Sequence, residues 1–158
     1  MNNIKPDLLA QFAEECVEFP DRNALNMYQT LATGTAVYPG QGTALGLVYV
    51  ALKGAGEAGE FAEHVGKAMR DDGLMPIDVH ESDHEGVGTV ANVNLLPGTG
   101  LTDERKALLI KEVGDELWYL AAKCNELDIT LAEAALINVR KLKDRQERGV
   151  LRGSGDKR

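Results

Sequence analysis

The sequence predicts an all-α protein with a single domain. Apolar residues recur with helical spacing, at about 100° per residue, and helix-breaking residues divide this pattern into five segments. No alternation strong enough to predict a sheet occurs, and no internal repeat is visible. At 158 residues, 44% hydrophobic and 27% charged, the chain fits one folded domain over residues 1–158 and is not disordered throughout.

The first three helices are defined by their breakers and their apolar faces. The first is expected over residues 7–19, between Pro6 and Pro20, and the second over residues 21–37. The third is expected over residues 43–70, where the apolar side chains fall into one broad sector. That sector should face a core.

Glycine, proline, aspartate and asparagine dominate the stretch after the third helix. Residues 71–100 are therefore predicted to form a long inserted loop, or at most a weak hairpin. An irregular insertion of this length is typical of a lid or of a contact with a partner.

Capping residues locate the last two helices. Thr102 can cap a fourth helix that runs to about residue 127, with acidic residues in its first turn. Thr130 and Glu133 form a capping box that begins a fifth helix, which reaches about residue 148. A basic, Gly-rich tail follows.

Charge and cysteine content exclude several classes of protein. A net charge of -8 disfavours coating of nucleic acid, which depends on neutralising phosphates. Cys16 and Cys124 lie far apart and form neither a disulfide framework nor a metal knuckle, as is typical of a reducing compartment. The N-terminus lacks the features of a signal peptide, and no run of about 18 apolar residues occurs. A soluble cytoplasmic protein without membrane partners is expected.

Two helices each carry a pair of acidic residues spaced three apart. Glu57 and Glu60 leave one face of the third helix, and Glu112 and Asp115 leave one face of the fourth. Both pairs stand among Gly, Ala, Trp and Leu, so the carboxylates should be partly enclosed and should repel one another. A hard divalent cation, Mg²⁺ or Mn²⁺, would hold them together.

Basic and polar residues supply complementary chemistry. Asn138, Lys141 and Arg145 share one face of the fifth helix, and residues 140–158 hold eight bases against three acids. Lys53 extends the acidic stripe of the third helix. A solvated helix end is the alternative interpretation, but beside a metal site these residues suit a polyphosphate.

Three strings resemble one known family. GEAGE at residues 56–60, EVGDELWYLA at residues 112–121 and NVRKLKDR at residues 138–145 resemble the MazG-like branch of the all-α nucleoside triphosphate pyrophosphohydrolases. The likeness extends from about residue 28 onward. YQTLATGTAVYP and the tail GVLRGSGDKR resemble small, single-domain, phage-type members.

The resemblance implies a four-helix-bundle-like core that forms a homodimer or a dimer of dimers. It implies Mg²⁺-dependent cleavage of nucleoside triphosphates between the α and β phosphates, giving a monophosphate and pyrophosphate. The four carboxylates would be the metal ligands and catalytic residues, with Glu57 or Glu60 assisting as a base. The implied substrate-binding residues are Tyr119, Asn138, Lys141 and Arg145. Lys53 is a further substrate-binding candidate because it lies on the acidic stripe of the third helix.

Two features depart from the family pattern. Gly56 stands where the family often has a further Glu. The 51 residues between Glu60 and Glu112 exceed the spacing of compact members. The two helices can pair only if the insertion bulges out of the bundle.

Two alternative functions remain at this point. The protein could be a specialist, such as a dUTP, dCTP or phosphoribosyl-ATP pyrophosphohydrolase, since base recognition lies in loops that the pattern does not define. It could also be a non-catalytic helical dimer that binds nucleotides or a protein. Acidic residues at all four ligand positions count against the second alternative.

Weaker signals have ordinary structural interpretations. His80 and His84 would form a zinc pair only on a helix, and the surrounding sequence disfavours one. GQG at residues 40–42 lacks the Lys and Ser/Thr of a P-loop and is typical of a turn. His64 can contact the ligands, and Trp118 can stack on a base, but a partly buried histidine and a core tryptophan are the commoner roles.

Overall fold

The structure is a computed structural model that describes residues 5–74, 77–84, 87–95 and 100–150, with the backbone alone described at 77–84 and 87–95. Helices make up most of the described chain, so the predicted helical class is confirmed. A 3-10 turn at Pro20–Arg22 separates the first two helices. The elements are α1 (Pro6–Glu18), α2 (Ala24–Thr33), α3 (Ala44–Asp71), β1 (Ile77–His84), β2 (Val87–Leu95), α4 (Asp103–Glu126) and α5 (Leu131–Glu147).

Side-chain caps begin α2, α4 and α5, and those of α4 and α5 are the caps that the sequence predicted. The Thr130 hydroxyl accepts from the Glu133 amide at 3.0 Å and the Glu133 carboxylate accepts from the Thr130 amide, which completes the predicted capping box. Thr102 caps α4 by accepting from the Arg105 amide at 3.1 Å. Helix α2 is shorter than residues 21–37 because Asn23 caps it by accepting from the Leu25 amide at 3.0 Å.

The insertion after α3 contains an antiparallel hairpin, which the sequence allowed only as a weak alternative to a loop over residues 71–100, so the expectation of no sheet was wrong there. Ile77 pairs with Leu95, and the register is irregular between Ser82 and His84. Asn and Gly in β2 lower strand propensity and obscured its alternation of apolar residues. His80 and His84 both lie in β1, not on the helical turn that a zinc pair would need.

The chain divides into two compact units, to both of which α3 and α4 contribute residues. The first comprises residues 1–54 and 117–158. Its buried cluster contains Ala32, Ala121, Cys124 and Leu131, and both cysteines of the chain are free. The buried Gln29 side chain donates to Asn125 Oδ1 and accepts from the Leu131 amide at 2.6 Å. Gln29 therefore joins α2 to the start of α5.

The second unit comprises residues 55–116. Asp72 follows α3, and Arg105 lies in the first turn of α4. The Arg105 Nε donates to Asp72 Oδ2 at 2.8 Å, and both side chains are mostly shielded from solvent. This contact raises the pKa of the guanidinium. It also links the residue that follows α3 to the first turn of α4, which are 33 residues apart in sequence across the insertion. Of the described helices, none is long and apolar enough to cross a membrane.

Candidate metal centre

Three carboxylates converge in the second unit. Glu57 projects from α3, and Glu112 and Asp115 project from α4, one turn apart. One oxygen from each lies within 4.8 Å of the others. Glu112 is the innermost, at 8% exposure, whereas Glu57 is half-buried and Asp115 is exposed. The cluster is thus closed at Glu112 and open at Asp115.

Glu60 is not part of this group of three. It lies one turn beyond Glu57 on α3, and its side chain is exposed. Helical spacing places Glu57 and Glu60 on one side of α3. Whether both residues also approach the acids of α4 depends on the rotation of α3 about its own axis, which the spacing does not define. The structure therefore brings together three of the four residues that the sequence suggested as ligands.

The charge of the buried Glu112 is balanced only weakly. His64 Nε2 lies 3.7 Å from Glu112 Oε1, which is longer than a hydrogen bond. In the part of the chain that the structure describes, neither Glu112 nor Asp115 pairs with a lysine or arginine. Carboxylates as close as these, with no lysine or arginine beside Glu112 or Asp115, favour a cation between them.

The donor set fits a hard divalent ion. It offers carboxylate oxygens and open solvent access at Asp115, as Mg²⁺ and Mn²⁺ prefer. His64 is outside the group of three, and its Nδ1 is buried with no hydrogen-bond partner among the described residues. The histidine that the sequence interpreted as an ordinary one therefore contacts the innermost carboxylate.

The expected substrate-binding residues belong to the first unit. Asn138 and Lys141 are exposed on α5, Arg145 is 5% exposed on the same helix, and Lys53 is exposed on α3. Tyr119 is half-buried on α4, with its ring edge-on to Trp118 at 4.8 Å between centroids. Burial of Arg145 could not be predicted from the run of bases around it.

Tyr38 and the turn at residues 40–42 both donate hydrogen bonds to Glu126. The sequence did not assign either of them to a site. The Tyr38 hydroxyl donates to Glu126 Oε1 at 2.5 Å, and the Gly42 amide donates to Oε2 at 3.0 Å. Burial raises the pKa of Tyr38 from 10.0 to about 12, with a further contribution from the hydrogen bond to Glu126. Gly40 and Gly42 have φ of 73° and 72°, as the predicted turn requires.

Comparison with known proteins identifies the class to which this fold and this carboxylate cluster belong. The profile of the MazG nucleotide pyrophosphohydrolase domain matches residues 51–150. The chain is 36% identical over 138 residues to the Gene 37 protein of Mycobacterium phage L5, covering 85% of this chain and 98% of that protein. No solved structure matches the chain. The chain belongs to the MazG nucleotide pyrophosphohydrolase family, and all three clustered carboxylates lie within the matched residues.

Proposed function

We propose that this protein hydrolyses nucleoside or deoxynucleoside triphosphates between the α and β phosphates, giving a nucleoside monophosphate and pyrophosphate. The observation that carries the proposal is the cluster of Glu57, Glu112 and Asp115, with its innermost member buried beside two other carboxylates. Membership of the MazG family supports the same reaction class. Mg²⁺ is the proposed cofactor, and Mn²⁺ is a suitable substitute.

Glu57, Glu112 and Asp115 would hold the cation. When bound, a divalent ion neutralises phosphate charge and polarises the phosphorus that is attacked. Burial of Glu112 keeps water away from one side of the cluster, and exposure of Asp115 leaves the other side open to substrate.

Glu60 is the better candidate for the general base. Glu57 belongs to the carboxylate cluster, whereas Glu60 is exposed one helical turn away and free of that group. Its carboxylate would take the proton from a water whose oxygen attacks one of the two phosphorus atoms joined by the bridging oxygen. The bond from that phosphorus to the bridging oxygen then breaks: pyrophosphate leaves if the α phosphorus is attacked, and the nucleoside monophosphate leaves if the β phosphorus is attacked.

The polar residues of the first unit are proposed to bind the substrate. Lys53 and Lys141 carry exposed ammonium groups that can neutralise phosphate oxygens. Arg145 is 5% exposed, and its planar guanidinium has the donor geometry that binds phosphate oxygens. Tyr119 and Asn138 complete the set by contacting or orienting the nucleotide.

Substitution of the clustered carboxylates tests this proposal. Glu112→Gln and Asp115→Asn each remove one ligand charge while keeping side-chain volume. Pyrophosphate release should fall at least about 100-fold, since loss of a mere outer partner of a metal site costs 10–100-fold. The assay couples phosphate detection to added pyrophosphatase, with the common triphosphates and deoxytriphosphates at saturating Mg²⁺.

Glu104→Gln is the matched control, because Glu104 is an exposed acid in the first turn of α4 outside the cluster. Its turnover should equal that of the native protein. Full activity in both cluster variants would refute the site. Turnover confined to dUTP, dCTP or phosphoribosyl-ATP would indicate a specialist, and binding without turnover of any substrate would indicate a nucleotide-binding regulator.

A further inference from the structure

An aromatic pocket lies in the first unit. It is a cavity of ≈ 130 Å³ lined by Thr35, Val37, Tyr38, Tyr49, Trp118 and Tyr119. The chain has only eight aromatic residues, four Tyr, three Phe and one Trp. Half of them line this one cavity, and none of its lining residues carries a formal charge.

Hydrogen bonds fix the polar edges of two of these rings. Tyr38 is tied through its hydroxyl to Glu126. The Trp118 indole Nε1 donates to the carbonyl of Ala32 at 2.9 Å. Glycine at position 46 leaves room for the Glu126 side chain, because a Cβ there would stand 2.6 Å from Glu126 Oε2. The two rings therefore have set orientations before any ligand arrives.

Tyr38 packs against two of the other rings that line the cavity. Tyr38 and Tyr49 are nearly parallel, 6° apart with centroids at 5.5 Å, while Trp118 is edge-on to Tyr38 at 85°. All four aromatic lining residues are partly exposed, and none is buried. This partial exposure leaves the rings accessible to a planar ligand in a single copy of the chain.

We propose that this pocket binds the nucleobase of a nucleotide by stacking. The choice of a nucleobase among planar rings rests on the proposed function. An uncharged, aromatic lining suits the flat faces of a base and does not suit phosphate. The volume is well below the ~300 Å³ of small-molecule sites, so the cavity holds a ring and leaves sugar and phosphates outside.

Intrinsic fluorescence tests the pocket directly, because Trp118 is the only tryptophan of the chain. Nucleoside monophosphates with purine and pyrimidine bases are titrated in the presence of EDTA, with ribose 5-phosphate and pyrophosphate as ligands lacking a base. We expect saturable quenching by nucleotides and none by the ligands without a base. Equal quenching by ribose 5-phosphate would overturn the proposal.

Substitutions at Tyr49 separate stacking from packing. Tyr49→Leu fills the space without a flat π face and should weaken nucleotide affinity at least about fivefold, whereas Tyr49→Phe should retain it. Phe19→Ala is the control, because Phe19 is an exposed aromatic residue outside the cavity. Circular dichroism verifies folding of each variant. Native affinity in Tyr49→Leu, or loss in Tyr49→Phe as large as in Tyr49→Leu, would contradict a stacking role.

The experiment distinguishes this inference from the proposed hydrolysis. It needs neither cation nor turnover, so quenching without pyrophosphate release would refute only the hydrolysis. Pyrophosphate release without quenching would refute only the pocket.

Discussion

At the scale of single residues, Glu112 is the member of the three-carboxylate cluster whose charge most needs compensation. Its carboxylate is buried between Glu57, Asp115 and His64, where an unbalanced charge costs stability. The acidic pairs could be recognised in the sequence because the two acids of each pair are three residues apart, which places them on one face of a helix. That Glu60 points to solvent was not visible, because the rotation of α3 depends on packing distant in sequence.

His64 is expected to position Glu112. A buried N–H without a partner costs more than an unpartnered acceptor nitrogen, so the lone Nδ1 favours the tautomer whose Nε2–H faces Glu112. His64→Leu should weaken Mn²⁺ binding about 10-fold, as loss of an outer partner does, and His64→Gln should weaken it less because an amide can still donate. Isothermal titration calorimetry measures both affinities.

Glu63→Gln serves as the control for His64. Glu63 precedes His64 on α3, but its carboxylate lies 2.6 Å from Lys67 Nζ and is exposed. Its Mn²⁺ affinity should be native. Native affinity in His64→Leu as well would show that the histidine does not act on Glu112.

At the scale of elements, local signals predicted helix starts better than helix lengths. Thr102 and Thr130 were identified because a cap and its partner lie within four residues. The end of α2 was missed because the helix ends at Thr33, before Gly34, and not at the later Pro39. The hairpin was predicted only as a weak alternative because β2 carries Asn and Gly, and its pairing with β1 is not a local property.

The capping box of α5 should contribute measurably to stability. Thr130→Ala removes the oxygen that accepts from the Glu133 amide, so the free energy of unfolding should fall by about 1 kcal/mol. Urea denaturation followed by circular dichroism gives this value. Thr30→Ala is the comparison, because the Thr30 hydroxyl only donates back to Asn26 within α2, and its effect should be close to zero. Equal losses in the two variants would argue against the cap.

At the scale of the whole molecule, the apolar residues exceed what the described chain buries. Leu45, Val48 and Leu52 share one face of α3, and they are 60%, 53% and 71% exposed. The sequence predicted that this sector faces a core. Packing against a second copy of the chain would cover these exposed side chains. Composition and periodicity identified the apolar face, but they could not show what it packs against.

A homodimer or a dimer of dimers is therefore expected. Light scattering at micromolar concentration should give a mass of two or four chains, and Leu52→Glu should lower it by placing a charge on this face. Val17→Glu is the control, because Val17 is similarly exposed on α1. A monomeric mass for the native protein would refute the prediction.

The proposed reaction cuts the bond between the α and β phosphates and leaves the bond between the β and γ phosphates intact. Phosphorus NMR of a nucleoside triphosphate incubated with the protein and Mg²⁺ resolves the two possible outcomes in one spectrum. Cleavage between the α and β phosphates predicts a nucleoside monophosphate and pyrophosphate in equal amounts, absent with Glu112→Gln. A diphosphate with inorganic phosphate, or an unchanged triphosphate for every base tested, would contradict hydrolysis between the α and β phosphates.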